Sequence, residues 1–393
     1  FPTIYAQNFQ KLIGNTSDNR FGKEVFHVDS YYILGKNGSK ATVTKLDLNG
    51  NHIWSNETNE EAYWNDILVN KDGNLMLVGS YGSNSNSFDN NCLVGVCDTN
   101  TGAFNILKTY NLGFRELFFK MYENPVPSNV SFPYYVTGSR VVQSGSDSDD
   151  LLILNFDNSF NLKEGRIFEI GSQNEELYRD IFIGGQNGAF MTIGNRTDTN
   201  SSNTGSTSLF DKNMNSIQRR TFNQSIYFTT GLSNTNPTGG FYQILAGGTS
   251  DGSQDAIILR INGSTFNYSY KLPFLKVINK IDFGNANNIY AVGVATIGGI
   301  DKTIVLKFQD NGNSLTVLWA KVLDQNETAF SNGFIDYNLA LGKLIYTDSR
   351  NGNAAGNGNY DGLICVEDEN LNNCLTDSMN VVLNNNPMTL DTF

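Results

Sequence analysis

The sequence predicts an all-β fold, a seven-bladed β-propeller of four-stranded blades closed by its N-terminal strand, and three observations carry that reading. A strand ending in small residues recurs at Tyr32-Ile-Leu-Gly35, Met76-Leu-Val-Gly79, Tyr135-Val-Thr-Gly138, Thr192-Ile-Gly194, Leu245-Ala-Gly247 and Ala291-Val-Gly293, with Ile345-Tyr-Thr-Asp348 as a degenerate seventh copy. The glycines follow one another every 44 to 59 residues, the length of a four-stranded blade rather than of a helical repeat. Aromatic residues make up 12% of the chain and proline only 7 positions, a composition suited to many short strands joined by polar turns.

Ala41 to Trp54 shows the unit most clearly. Residues 41 to 46 alternate as a strand, Asp47-Leu-Asn-Gly50 turns, and the apolar pattern resumes at Ile53-Trp54, which together make a hairpin. Third strands of the same kind follow each small-residue strand: Ala41 to Leu46, Cys92 to Val96, Leu151 to Phe156, Thr207 to Phe210, Ala256 to Ile261, Thr303 to Phe308 and Leu363 to Val366. Turns rich in Asp, Asn and Gly then lead to outer strands carrying Trp54, Phe104, Ile167, Ile217, Tyr268 or Trp319. Several first strands open with an aspartate before apolar residues, at Asp66, Asp180, Asp282 and Asp336.

The two ends bear on closure. Ile4-Tyr5-Ala6 followed by Asn15-Thr16-Ser17 is similar to Leu318-Trp319-Ala320 followed by Asn326-Glu327-Thr328, so Ile4 to Phe9 is expected to be the outer strand that completes the seventh blade. A competing assignment gives that place to Cys374 to Leu383. The propeller then takes residues 1–375, and 376–393 form a tail, linker or partner-binding segment whose Val381-Val-Leu383 can add as a strand to a neighbour's edge.

The net charge of −12 and the lack of a long Lys/Arg run argue against nucleic acid and anionic membranes as partners. No stretch approaches the roughly 18 apolar residues of a membrane span. The chain begins at Phe1 without a Met or a signal peptide, which reads as a processed or truncated form. Cys365 and Cys374 flank a turn-like segment across which a disulfide is expected. Cys92 and Cys97 lie five residues apart on an apparent strand, on opposite faces unless a bulge or turn intervenes, so a second disulfide there stays open. Zinc is disfavoured, because there is no CxxC pair and the only histidines are His27 and His52.

Gly-apolar-apolar-apolar-Gly followed by Lys-Leu-Asp-x-Asn-Gly-Asn-x-x-Trp resembles the repeats of secreted and cell-surface β-propeller proteins common in bacteria, most clearly at Lys45 to Trp54 and Leu75 to Tyr81. The resemblance spans nearly the whole chain and implies an extracellular scaffold. It carries no single activity, so no catalytic residues transfer. Asp47 to Trp54 is also faintly similar to the Asp-box turn of sialidase propellers, but Lys45 stands where that motif has Ser.

Ten Asn-x-Ser/Thr sequons occur, at Asn15, Asn37, Asn56, Asn129, Asn195, Asn200, Asn223, Asn262, Asn267 and Asn326, about what the abundance of Asn, Ser and Thr gives by chance. Asn15, Asn56, Asn223 and Asn326 are assigned to loops between blades, and Asn37, Asn195 and Asn200 to second-to-third loops, so that glycans would shield one face. The Asp/Asn/Gly turns could take a calcium ion, yet Asx turns account for them better, and no cofactor is expected. Trp64, with Tyr63, Asn65 and Asp66, is the best candidate for a sugar-stacking platform; packing between blades is the plainer reading. The recurring aspartates speak against catalysis, because a residue repeated in blade after blade makes the same local bond each time. The leading expectation is a non-enzymatic extracellular structural or adhesive glycoprotein that contacts copies of itself or other extracellular proteins, as in a surface layer or filament. A glycan-binding propeller is the alternative, and a glycoside-processing enzyme ranks third.

Overall fold

The computed structural model describes residues 8–13, 19–82, 91–113, 115–124, 133–141, 149–168, 176–183, 189–197, 203–235, 241–263, 265–323, 333–351, 360–372, 376–379, 381–388 and 390–392. Most of them lie in antiparallel strands, and one short 3-10 turn at Asn285–Asn287 is the helical element among them.

After β1 (Phe9–Ile13), the first meander runs through β2 (Asn19–His27), β3 (Ser30–Asn37), β4 (Lys40–Asp47) and the first half of β5 (His52–Val69). The second half of β5 opens the next unit, with β6 (Leu75–Tyr81), β7 (Asn91–Cys97) and β8 (Phe104–Tyr110). Then come β9 (Arg115–Glu123), β10 (Tyr134–Val141), β11 (Asp149–Phe156) and β12 (Leu162–Phe168). β13 (Glu176–Ile183), β14 (Phe190–Thr197) and β15 (Asn203–Phe210) pair onward into β16 (Ser216–Thr235), whose second half starts a unit with β17 (Phe241–Thr249), β18 (Ala256–Asn262) and β19 (Thr265–Leu272). β20 (Leu275–Phe283), β21 (Asn288–Ile297), β22 (Ile300–Asp310) and β23 (Leu315–Leu323) follow. The last unit has three consecutive strands, β24 (Phe334–Asn338), β25 (Lys343–Asn351) and β26 (Tyr360–Asp368), and β1 supplies its fourth.

The N-terminal pairing differs in register from the expectation. Phe9 faces Val366 and Ile13 faces Gly362, whereas Ile4 to Ala6 lie outside the described residues. The competing assignment fails, because β27 (Thr376–Ser378) pairs with β23 and not with β26. β28 (Asn384–Asn385) and β29 (Leu390–Thr392) pair with β19 and β16. The expected loops around Asn56 and Asn223 are absent, since β5 and β16 run unbroken from one unit into the next.

The recurring glycine has a steric cause. On the first strands β5, β9, β13, β16 and β20 a bulge leaves one residue unpaired just before the small-residue position, as at Asn65 and Thr229. That kink drives a carbonyl at the facing strand. A Cβ on Gly79 would lie 1.9 Å from the Tyr63 oxygen, and one on Gly247 would lie 1.9 Å from the Tyr227 oxygen. In the last unit β24 pairs with β25 without a register shift, and the glycine position is Asp348.

Apolar side chains gather between units. Met76, Val78 and Val94 meet Phe118, Val136 and Phe156 of the following unit in one cluster. Phe21, Tyr31 and Ile33 of the first meander share another with Ile345, Ile364 and Val366 of the last. Hydrogen bonds reinforce that junction: Thr347 Oγ1 donates to Gly22 O at 2.5 Å, and Ser349 Oγ accepts from the Phe21 amide at 3.2 Å.

Candidate functional site

The first strands bring charged residues together. Asp66 on β5 is fully buried; its Oδ1 lies 2.5 Å from Lys23 Nζ of β2 and 3.4 Å from Lys120 Nζ of β9. Its Oδ2 accepts the Met121 backbone N–H at 2.8 Å. Asp282 on β20 does the same to the next unit, accepting the Tyr337 N–H at 2.6 Å. The aspartates nonetheless occupy two depths. Asp66 and Asp180 face Val78 and Ile193, each one residue before the glycine, whereas Asp282 and Asp336 face Tyr290 and Ile345, two residues deeper. The expectation of one equivalent position is therefore corrected to two; the Asp180 side chain is outside the described residues.

Bulge residues add a second stitch. Asn65 Nδ2 donates to Phe118 O, and Thr229 Oγ1 to Ile278 O, each reaching the next unit's first strand. Phe118 and Ile278 hold the same place, opposite Gly138 and Gly293.

Protonation divides this cluster. Burial raises the Asp66 carboxyl, but Lys120, Lys23 and the Met121 amide outweigh it and hold the group below the usual range. Burial and then the neighbouring Asp336 push Glu24 up to about 8. Asp282 and Asp336 hydrogen-bond to each other, and burial raises both, so this pair retains a proton at neutral pH. Burial brings Lys23 down to about 8 against the attraction of Asp66, with Lys120 and Lys280 lowering it further. Sequence reasoning missed Lys23, Glu24, Lys120 and Lys280. Counting register back from each glycine finds Lys120 and Lys280, which face Thr137 and Val292 at the Asp66 depth.

The proposed sugar platform is not an open surface. Trp64 is only 7% exposed and packs 6.0 Å from the Phe104 ring, with its edge against Gly95. Its ring offers no open face to a pyranose, while Tyr63 beside it is half-buried. A groove of about 260 Å³ lies instead where β1 meets the first unit, between Ile13 and Phe21 on one side and Lys36, Thr44, His52, Ser55 and Glu57 on the other. There His52 Nε2 lies 2.8 Å from Ser55 Oγ, and Ser55 in turn 2.9 Å from Thr44 Oγ1.

Asn37 and Asn56 border the same groove. Their amides donate to Glu57 at 3.1 Å and to Gly102 O at 2.5 Å. Asn195 Oδ1 accepts the Phe228 N–H at 2.9 Å, a bond between units, and Asn267 Nδ2 donates to Asn313 at 3.1 Å. Asn262 is exposed at the end of β18. Asn15, Asn129, Asn200 and Asn326 lie outside the described residues, as does the side chain of Asn223.

Cys92 and Cys97 sit near opposite ends of β7, roughly 16 Å apart at strand rise. They point into different interunit clusters, so they form no disulfide. Cys365 is buried on β26, and its expected partner Cys374 is outside the described residues. The polar turns are closed by their own carboxylates: Asp47 Oδ1 takes the amides of Asn49 and Asn51 at 2.8 and 2.7 Å, and Asp157 those of Ser159 and Asn161 at 2.9 and 2.8 Å. Asp211 repeats the device at a turn that the sequence reading passed over.

The outer edges carry the remaining feature. β27, β28 and β29 of the C-terminal segment lie in turn on β23, β19 and β16, a fifth strand on three successive units. Met379, Val381 and Leu383 pack on the cluster around Tyr242 and Ile304, and Met388 on that around Phe222 and Phe228. Asn386 is 8% exposed; its amide donates to Ser269 O at 2.9 Å and its side chain to Gln224 at 2.8 Å.

No family profile matches the chain, and no curated protein matches it. Among solved structures it is similar to a protein of unknown function from Dyadobacter fermentans, at 11% identity and TM-score 0.49 over 79% of this chain and 96% of that one. It is similar to YCF48 bound to D1 peptide, at 9% identity and TM-score 0.46 over 93% and 97% of the two chains. Prolyl oligopeptidase B from Galerina marginata gives 9% identity and TM-score 0.48, over 94% of this chain and 52% of that one. At these identities and TM-scores the likenesses assign neither activity nor partner.

Proposed function

We propose that the chain is a seven-bladed β-propeller, closed by β1, that serves as a non-catalytic extracellular structural or adhesive module. The observation that carries this reading is the use made of the outer rim. An extended segment with apolar anchors engages three outer strands by edge pairing, the mode by which such sheets take protein partners. Closure is supported by the cluster that the first and last units share and by β1 on β26. The non-catalytic part rests on the aspartates, which bond to backbone amides of neighbouring units.

The test is the full chain at rising concentration, followed by light scattering and electron imaging, with adhesion to a cell surface measured alongside. Concentration-dependent assembly or surface attachment is expected. Protein that stays monomeric and attaches to nothing would defeat the reading. Hydrolysis of a glycoside panel, lost on changing Asp282 to Asn, would replace it with the enzyme reading.

A further inference from the structure

We propose that the C-terminal strap is exchangeable between copies of this chain, so that β27, β28 and β29 of one molecule lie on β23, β19 and β16 of a second. The inference rests on the assembling role above and names the partner: another copy of the same chain, contributing its strap.

The strap is built as a bound peptide. The ladders within the units it crosses are complete without it, as β20 to β23 show. Its ladders are short: three residue pairs on β23, two on β19 and three on β16. Recognition comes from the side chains between the ladders. Met379, Val381, Leu383 and Met388 fill apolar positions, and the Gln224 amide is used on both sides: its Oε1 accepts from Asn386 Nδ2 at 2.8 Å and its Nε2 donates to Pro387 O at 2.8 Å. A strap held this way on its own rim presents the same edge and the same anchors to the strap of another copy. Exchange keeps every one of these contacts and changes only the path that follows β26. The tether gives a strap a local concentration on the order of millimolar, so self-occupancy dominates in dilute solution and exchange grows as the protein is concentrated.

The experiment uses two full-length single variants, Lys271→Cys and Asn384→Cys, which alter residues facing each other across β19 and β28. The two are co-incubated over a tenfold concentration range, after brief partial unfolding and refolding, and then oxidised. Non-reducing electrophoresis should show a covalent dimer that needs both variants and grows with concentration. Each variant alone gives the background, and the double variant closing on itself shows that the strap is placed correctly. Mixed single variants that remain unlinked while the double variant closes would overturn the exchange. If light scattering then still detects assembly, the assembling role stands without it; if it does not, both fall.

Discussion

The buried Asp66 carboxylate accepts the Met121 amide of the next unit at 2.8 Å while its other oxygen faces two lysines. Changing Asp66 to Asn keeps an acceptor for Met121 but leaves Lys23 and Lys120 without their counter-charge. A buried pair broken on one side costs about 3 kcal/mol. Urea denaturation should show a loss of that order, and a change under about 1 kcal/mol would contradict the geometry.

Gly79→Ala and Gly247→Ala each place a methyl 1.9 Å from a facing carbonyl. Neither oxygen belongs to a side chain that can rotate away, so strands must separate. The expected cost is about 3 kcal/mol or more, at the upper end of overpacking. Thermal unfolding of both variants checks it, and near-normal melting would mean that the bulges are misplaced.

Stability should fall as pH rises from about 5 toward 8. Glu24 holds its proton in the folded chain up to about 8, against an ordinary value of 4.5, and Asp282 and Asp336 are raised with it. Between those values the unfolded chain has released protons that the folded one retains, so each rise in pH favours unfolding. Lys23 acts with the opposite sign above about 8, where the folded amine is neutral and the unfolded one, at 10.5, stays charged. Denaturation midpoints from pH 5 to 10 should therefore pass through a minimum near 8. In Glu24→Gln the descending limb should be shallower; an identical slope would exclude Glu24 as its source.

Removing residues 1–13 takes β1 from the edge of β26 and uncovers the cluster that Phe9 and Ile13 help to cover. A clear drop in melting temperature follows, since an unpaired edge and apolar surface are exposed together. Scanning calorimetry on the shortened chain measures it, and an unchanged transition would argue that β1 closes nothing.

Asn195→Ala should destabilise by about 1 to 2 kcal/mol even where the host adds no glycans, because the Phe228 N–H loses its acceptor. Asn262→Ala, at an exposed strand end, should stay within about 0.5 kcal/mol. Equal effects would show that Asn195 acts through a sugar or not at all.

Strand order was readable from the chain because apolar alternation and turn chemistry are local. Every small-residue strand from Tyr32 to Asp348 is a second strand, and Trp54 and Trp319 stand on outer ones. Register and depth were not readable. The bulges at Asn65 and Thr229 shift pairing by one residue, and only the facing strand reveals that Asp66 and Asp282 sit at different levels. Trp64 reads as a platform or as core from the same residues, and Phe104 and Gly95, distant in sequence, decide for core. The path of the tail is hidden for the same reason: Val381 to Leu383 carry an edge-strand pattern, yet they join no ladder and Val381 and Leu383 pack by their side chains, while the ladders form on either side of them, at β27, β28 and β29, with strands more than a hundred residues away in places.

Because the strap meets its three units through separate short ladders, tension applied at the C-terminus loads those ladders one after another. β29 would let go of β16 first, then β28 of β19 and β27 of β23, while the ladders inside each unit carry little of the pull. A molecule anchored by its tail to something that moves therefore has slack to give before its body is strained, and the slack winds back when the pull stops.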